Sequence, residues 1–220
     1  MSFDVNNWMR ELINRLRDAF GARLLAVGLQ GSFGRGEVRE NSDIDAVVIL
    51  DAVSAADVDA YKKILARMPA GTHPACGFFG GKEALKNWSR AELFQFTHDT
   101  KTLYGSFDGI LPTPTRRDAL DAARTGAGTL YHALIHTWLH GDLTPAFLKE
   151  LYKAAFFMLQ AAHFVKTGRY LPGKKALVQE LTDPAEREIL RVLAGQKPLD
   201  DTRAAAEKLL ACCQKVLSIS

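Results

Sequence analysis

The sequence predicts two parts, a mixed α/β (α+β) N-terminal domain with a short mixed sheet and an all-α helical bundle that follows it. Strand-length apolar runs alternate with helical patterns up to residue 111. From Arg116 onward the apolar residues recur only at helical spacing. Pro112 and Pro114 suit an extended linker, so we expect domains at 1–111 and 115–220.

Composition places the chain among ordinary globular proteins. Its 220 residues are 47% hydrophobic and 24% charged, which is enough for two small domains. The net charge of +3 comes from dispersed basic residues, a pattern that favours a small phosphate compound over nucleic acid as partner. Because the chain has no leader-like segment and no apolar run of membrane-spanning length, we expect a cytoplasmic protein without a membrane partner. The sequence leaves open whether the chain forms a homodimer.

The N-terminal part begins with an amphipathic helix, since apolar residues recur at three- and four-residue intervals from Val5 to Phe20 and Gly21 is placed to end it. The patterns that follow are a strand from Leu24, a strand over 43–50, a helix that starts after Ser54 and stops before Pro69, a strand over 72–79, short helices over 82–88 and 91–97, and an edge strand over 101–107.

The C-terminal part reads as a bundle of helices. The predicted helices cover 118–140, 144–166, 176–181, 184–194 and 200–217, and Gly168 is placed to end the second. Gly126 and Gly128 weaken the first of them, because glycine is a poor helix former.

Two acidic residues stand at the start of the strand predicted over 43–50. Because strand side chains alternate between faces, Asp43 and Asp45 should share one side while Ile44 points into the interior. Two carboxylates so close repel each other unless a cation lies between them. Mg²⁺ suits this position, since it prefers oxygen ligands and usually combines one or two carboxylates with substrate phosphates.

The residues just upstream suit a phosphate group. Gly31 lacks a Cβ and lets an anion approach the backbone, and Ser32 adds a hydroxyl beside backbone N–H groups. A turn-rich connector followed by an ordinary polar strand entrance is the alternative interpretation. We favour a phosphate cradle opposite Asp43 and Asp45, because both motifs occur together between strand-like runs.

Together these motifs resemble the signature of the DNA polymerase β-like nucleotidyltransferase superfamily, in particular its small bacterial members and the aminoglycoside nucleotidyltransferases. The motifs are Gly31-Ser32, Arg35-Gly36 and Ser42-Asp43-Ile44-Asp45. The resemblance implies that the Gly-Ser pair holds a nucleoside triphosphate, most simply ATP, and that the two aspartates are catalytic and bind Mg²⁺. It is specific over residues 24–50 and loose over the rest of the first half.

Three further residues are predicted to bind the nucleotide: Arg35, Ser42 and Lys174. Arg35 would hold the loop or the phosphates, with an exposed loop arginine as the alternative. Ser42 belongs to the signature. Lys174 lies with Arg169 and Lys175 in a predicted loop between helices, which could swing toward the phosphates and neutralise charge as pyrophosphate leaves, although exposed lysine pairs are commonly only solvated.

The superfamily pattern also has a third carboxylate, on the strand that follows the next helix. The corresponding strand, predicted over 72–79, contains no acid, and Cys76 is the residue most suited to that position. Glu83 is the nearest acid in sequence, but it begins a predicted helix, where a carboxylate is favourable for structural reasons alone. Asp99 and Asp108 are no better placed in the sequence.

Two other residue groups invite a functional interpretation. His132, His136 and His140 share one helix face, which suits a metal or a pocket as well as a half-buried surface. We expect Cys76, Cys212 and Cys213 to be reduced packing residues, because adjacent cysteines pair poorly and no further metal ligands flank them.

The sequence thus predicts a Mg²⁺-dependent nucleotidyltransferase that transfers a nucleoside monophosphate to an acceptor hydroxyl and releases pyrophosphate. The helical domain would close over the nucleotide and select the acceptor. The sequence does not decide between a small molecule and a macromolecule as this acceptor. There are two alternatives. One is a regulator that binds a nucleotide without turnover, which the absence of a third carboxylate favours. The other is one half of a toxin–antitoxin pair.

Overall fold

A computed structural model describes residues 3–69 and 73–220, which form two compact units. The first unit comprises Met1–Trp88 and Asp99–Thr113, and the second comprises Ser89–His98 and Pro114–Ser220. The second unit thus takes in a segment upstream of the two prolines, because Phe94 of this segment is 1% exposed and belongs to that unit's hydrophobic core.

Helix α1 (Val5–Phe20) opens the first unit with the predicted bounds. The Asp4 carboxylate caps it by accepting a hydrogen bond from the backbone N–H of Asn6. Gly21 ends the helix with φ at 54°, a conformation that glycine adopts without strain. Local sequence signals therefore define both ends of this element.

The first unit continues with alternating strands and short helices. In chain order these are β1 (Leu24–Leu29), α2 (Gly31–Arg35), β2 (Ile44–Leu50), α3 (Ala55–Ala66), β3 (Ala75–Gly81), α4 (Lys82–Lys86), α5 (Arg90–Asp99), most of which lies in the second unit, and β4 (Lys101–Gly105). Ser54 caps α3 in a capping box with Asp57, as its sequence position predicts.

The four strands form one mixed sheet in the order β3-β2-β1-β4. β1 is antiparallel to both β2 and β4, whereas β2 and β3 are parallel and are joined through α3. The predicted short mixed sheet is confirmed. Its parallel pair is the part that matters for the site, because it brings the start of β2 beside the start of β3.

Several boundaries differ from the sequence prediction, and those of β2 and β3 lie nearest the two acids. β2 begins at Ile44, so Asp43 lies just outside the strand. β3 runs to Gly81, because Gly80 and Gly81 pair with the end of β2 and continue the strand. Its predicted start at Thr72 falls outside the described residues, and the strand itself starts at Ala75. The segment after β1, predicted as a loop, contains the short helix α2.

The core of the first unit lies between the sheet and the helices. Ile44, Ala46 and Val48 on β2 are fully buried, as are Leu12 and Leu16 on α1. Every second residue at the start of β2 therefore points into this core, which leaves the alternate positions for the site.

The second unit is a bundle whose principal helices are α6 (Arg116–His140), α7 (Pro145–Thr167), α8 (Lys174–Glu180), α9 (Pro184–Leu193) and α10 (Thr202–Leu217). This confirms the predicted helical C-terminal part. Within the described residues, no helix has both the length and the apolar character required to cross a membrane.

Helix α6 is continuous through the two glycines that weaken its pattern. A Cβ on Gly126 would lie 3.4 Å from Cβ of Met158 on α7, so the glycine lets these helices pack closely. Tertiary packing of this kind outweighs the propensity cost of about 1 kcal/mol for a glycine.

Candidate active site

The start of β2 places two carboxylates on one side of the sheet. Ile44 is fully buried, whereas Asp43 is exposed and Asp45 is half-buried. This alternation is the one that the sequence predicts, because neighbouring strand residues face opposite sides. The two acids can therefore act on one ion or one substrate group.

Cys76 joins this pair of acids from the neighbouring strand. In the parallel register of β2 and β3, Cys76 lies beside Asp45. One carboxylate oxygen from each of Asp43 and Asp45 and Sγ of Cys76 all lie within 4.8 Å of one another. Over residues 3–69 and 73–220, no other set of three His, Cys, Asp or Glu side chains meets this criterion. Cys76 therefore occupies the position predicted for the third carboxylate, and it is exposed rather than packed.

Gly31 lies directly against one of the acids. A Cβ built on Gly31 would overlap Oδ2 of Asp45 and would lie 2.6 Å from its Cγ. The backbone N–H of Gln30 also donates to the carbonyl oxygen of Asp45, at 2.9 Å. The Asp45 carboxylate thus occupies the space that a Cβ on residue 31 would fill. The sequence predicted that a phosphate would use this space.

The first turn of α2 presents backbone donors. The N–H groups of Gly31, Ser32 and Phe33 precede the first intrahelical hydrogen bond, which Gly34 N–H makes to the Gln30 carbonyl oxygen at 3.0 Å. Gly36 ends the helix in the left-handed conformation, with φ at 71°. This tight turn keeps the donors at the same end of the sheet as Asp45.

Arg35 is a part-buried member of an ion pair. Its Nη1 donates to Oδ2 of Asp99 at 2.8 Å, and the two side chains are 11% and 7% exposed. Nε of Arg35 also lies 3.8 Å from Oε2 of Glu37. Because the ion pair connects α2 to the end of α5, this geometry favours the role in which Arg35 holds the loop over direct binding of the phosphates.

The charges around Asp45 influence its ionisation. Burial raises the pKa of the Asp45 carboxyl, and the negative charges of Asp43 and Asp99 raise it further. The positive charge of Arg35 acts in the opposite direction. A cation bound at the acids would relieve the same repulsion, so the site favours a positively charged ligand.

Ser42 closes the turn that leads into the acids. Its hydroxyl accepts a hydrogen bond from the backbone N–H of Arg39 at 2.8 Å. Its carbonyl oxygen accepts one from Nδ1 of His73 at 2.6 Å, and the rings of Phe3 and Phe33 lie 5.0 and 5.1 Å from the His73 ring. These contacts give Ser42 a positioning role, and its predicted contact with nucleotide stays a prediction.

Lys174 belongs to the second unit. It begins α8, and its Nζ lies 4.8 Å from the centre of the Phe156 ring. The prediction that Lys174 lies in a loop is therefore wrong, because Lys174 is the first residue of helix α8. Its contact with a nucleotide stays a prediction.

The other candidate residues do not belong to this set of three donors. Glu83 is in the first turn of α4 and pairs with Lys86 at 3.0 Å, as its helix-start position predicts. The exposed rings of His132, His136 and His140 follow one another on α6 at 5.9 and 5.0 Å. Cys212 and Cys213 are buried packing residues, and burial raises the pKa of their thiols to about 12 and about 11.

Asp99 is the residue near the site that the sequence interpretation set aside. It comes 54 positions after Asp45 and no local motif marks it, but its charge acts on Asp45 and its carboxylate binds Arg35. The only sequence signal was its place just before the edge strand β4, which pairs with β1.

Comparisons with known proteins agree with this geometry. Residues 9–74 match the family model of the nucleotidyltransferase domain, a segment that contains Gly31, Ser32, Asp43 and Asp45 and ends before Cys76. No curated protein sequence matches the chain.

Among solved structures, the fold is similar to that of the spectinomycin adenyltransferase AAD(9) from Enterococcus faecialis, solved with ATP and spectinomycin. The similarity covers 95% of this chain and 99% of that chain, with a TM-score of 0.61 and 12% sequence identity. At this identity the likeness concerns the fold. The domain match over residues 9–74, which contains the signature residues, supports an enzyme of the nucleotidyltransferase class.

Proposed function

We propose that the chain transfers a nucleoside monophosphate from a nucleoside triphosphate, ATP in the first instance, to a hydroxyl group of a small-molecule acceptor. Pyrophosphate is the second product. The observation that carries the proposal is the placement of Asp43 and Asp45 on one side of β2, beside the N–H groups of the first turn of α2.

The donor set fits a divalent ion. Two carboxylates within 4.8 Å of each other supply the oxygen ligands that Mg²⁺ takes from proteins, and the triphosphate supplies the others. Asp43 and Asp45 would hold the ion, which would stabilise charge on the entering and leaving oxygens when bound. The third protein donor is the sulfur of Cys76, a weaker partner for Mg²⁺ than an oxygen would be.

The remaining residues bind and orient the triphosphate. The first-turn N–H groups of α2 and the Ser32 hydroxyl donate to phosphate oxygens, and Arg35 and Ser42 keep the two ends of the loop in place through Asp99 and Arg39. Lys174 acts on the departing pyrophosphate as a positive charge supplied by the second unit.

The nature of the acceptor is proposed from the structural comparison. The adenyltransferase with the similar fold was solved with ATP and spectinomycin, a small molecule. The dispersed net charge of +3 agrees with this choice, because it provides no extended basic surface for a nucleic acid.

The experiment is a screen of the four nucleoside triphosphates against a panel of hydroxylated small molecules, read out as pyrophosphate release with Mg²⁺. We expect release with ATP that depends on one acceptor class and is lost in Asp45→Asn. The matched control is Asp59→Asn, which changes an exposed aspartate on α3. Release that persists in Asp45→Asn, or that needs no acceptor, would contradict the proposal.

A further inference from the structure

The third donor of the site is a sulfur atom rather than an oxygen. Asp43, Asp45 and Cys76 offer two carboxylate oxygens and one thiol within 4.8 Å of one another. Zn²⁺ binds thiolate sulfur at about 2.3 Å and carboxylate oxygen at about 2.0–2.2 Å. In tetrahedral coordination these bond lengths place the ligand atoms about 3.4–3.6 Å apart, so binding of a common ion would draw the three donors, which lie within 4.8 Å of one another, closer together by side-chain rotation.

The backbone keeps Cys76 in this position. Cys76 pairs in register with Asp45, and the next residue, Gly77, has φ at 109°. A Cβ on Gly77 would overlap the backbone of Ala46, so β3 approaches β2 more closely here than another residue would allow. The thiol therefore projects at the same end of the sheet as the acids, and it is exposed, so an ion can reach it.

Donor chemistry decides which ion such a set prefers. Mg²⁺ takes oxygen ligands and near-ideal octahedral geometry, and thiolate sulfur does not suit it. Zn²⁺ accepts a mixture of thiolate and carboxylate ligands in fourfold coordination, with three protein ligands and one open position at catalytic sites. Replacing the expected third oxygen by sulfur thus moves the preference of the site from Mg²⁺ toward Zn²⁺.

We propose that Asp43, Asp45 and Cys76 form a mixed carboxylate and thiolate site that binds Zn²⁺ directly through the Cys76 sulfur, in preference to Mg²⁺ alone. The inference rests on the proposed function in one respect, the assignment of Asp43 and Asp45 as metal ligands. Binding displaces the thiol proton to solvent and leaves one coordination position for a water molecule or a phosphate oxygen.

The first test uses Co²⁺ as a spectroscopic probe of the Zn²⁺ site in the full chain without nucleotide. We expect a charge-transfer absorption from thiolate to Co²⁺ that Zn²⁺ abolishes and that excess Mg²⁺ leaves in place. It should be absent in Cys76→Ser and retained when the two buried thiols are removed by Cys212→Ala and Cys213→Ala. An absorption that survives Cys76→Ser would overturn the inference.

The second test begins with a measurement on the native chain, which needs no variant that could fail to fold. Zn²⁺ should protect Cys76 of the native chain from alkylation, as mapped by mass spectrometry of peptides, whereas Mg²⁺ should not. Zn²⁺ should also bind Cys76→Ser at least about 10-fold more weakly, since even the loss of a partner outside the ligand sphere costs this much. Equal alkylation with and without saturating Zn²⁺ would contradict direct coordination.

The two proposals fail in different ways. If Cys76→Ser keeps its Zn²⁺ affinity while Asp45→Asn loses binding of ATP with Mg²⁺, the sulfur is not a ligand and the proposed function stands. If Asp45→Asn binds ATP with Mg²⁺ as the native chain does, the proposed function is contradicted.

Discussion

Gly31 and Asp45 are in such close contact that the carboxylate of Asp45 occupies the volume of the missing Gly31 side chain. Gly31 also has φ at 65°, a conformation that other residues adopt only with strain. A glycine at this position is therefore required by the carboxylate of Asp45, the proposed metal ligand. This contact connects the Gly31-Ser32 motif with the motif that contains Asp43 and Asp45.

A side chain at Gly31 should damage nucleotide binding more than loss of the Ser32 hydroxyl. We expect Gly31→Val to displace the Asp45 carboxylate and abolish Mg²⁺-dependent ATP binding. Ser32→Ala should cost about 1–3 kcal/mol of binding free energy, the range for a hydrogen bond to a charged group. Titration calorimetry with ATP and Mg²⁺ measures both.

The control separates backbone strain from the overlap with Asp45. Gly109 has a similar φ of 69°, and no atom lies within 4 Å of a Cβ built on it. Gly109→Ala should lower stability through strain alone and leave ATP affinity unchanged, whereas Gly31→Ala should lower both. Equal effects of the two alanine substitutions on ATP affinity would refute the overlap argument.

The ion pair of Arg35 and Asp99 should contribute strongly to stability. Removal of one partner from a fully buried pair costs about 3–5 kcal/mol, because the other charge is left without compensation. This pair is part-buried, so we expect Arg35→Met to lower the free energy of unfolding by less, up to about 3 kcal/mol, measured by chemical denaturation. The double variant Arg35→Met with Asp99→Leu should recover part of the loss, because no uncompensated charge remains. No recovery would mean that Arg35 acts through other contacts.

A second ion pair should make stability depend on pH. The hydrogen bond from Arg23, supported by those from Ser54, lowers the pKa of Asp57 below its usual range. The folded chain thus binds this proton less readily than the unfolded chain, so the pair stabilises the fold above about pH 3.9 and the contribution is lost as the pH falls further.

Thermal unfolding between neutral pH and pH 3 tests this linkage. The melting temperature of Asp57→Asn should lie below that of the native chain at neutral pH, and the difference should shrink as the solution is acidified. Asp59→Asn on the same helix is the control and should show no such trend. A difference that stays constant with pH would contradict the assigned cause.

The elements defined by local signals were predictable from the sequence. The ends of α1, the Ser54 cap of α3 and the sharing of one face by Asp43 and Asp45 follow from helix-terminus chemistry and strand alternation. The position of Cys76 also followed, because a parallel strand after one helix must lie beside β2.

Long-range packing was beyond the reach of such signals. Arg35 and Asp99 are 64 residues apart, and no pattern in either segment indicates that they pair. The helical pattern of α5 likewise does not indicate which of the two hydrophobic cores its apolar side belongs to. In the structure, Phe94 belongs to the core of the second unit. Helix α6 is continuous although two glycines weaken its pattern, and the packing of Gly126 against Met158 is another long-range contact that no local signal indicates.

Replacing the sulfur of the third donor by a carboxylate should favour Mg²⁺. We expect Cys76→Asp to bind Mg²⁺ more tightly than the native chain and to increase the rate of Mg²⁺-dependent transfer, because an added general base is worth about 10²–10⁴ in rate. Cys76→Asn is the matched control, since it has the same shape without the charge. Equal Mg²⁺ affinities of the two variants would show that the position does not contact the ion.

Titration calorimetry of Asp45→Asn measures whether Asp45 is a ligand of the ion that holds the triphosphate. Because burial raises the pKa of Asp45, removing its charge should leave the ligand-free chain folded, with a melting temperature at neutral pH no lower than that of the native chain. We expect this folded variant no longer to bind ATP with Mg²⁺, while Asp59→Asn binds as the native chain does. A folded Asp45→Asn variant with native affinity for ATP and Mg²⁺ would contradict this role of Asp45.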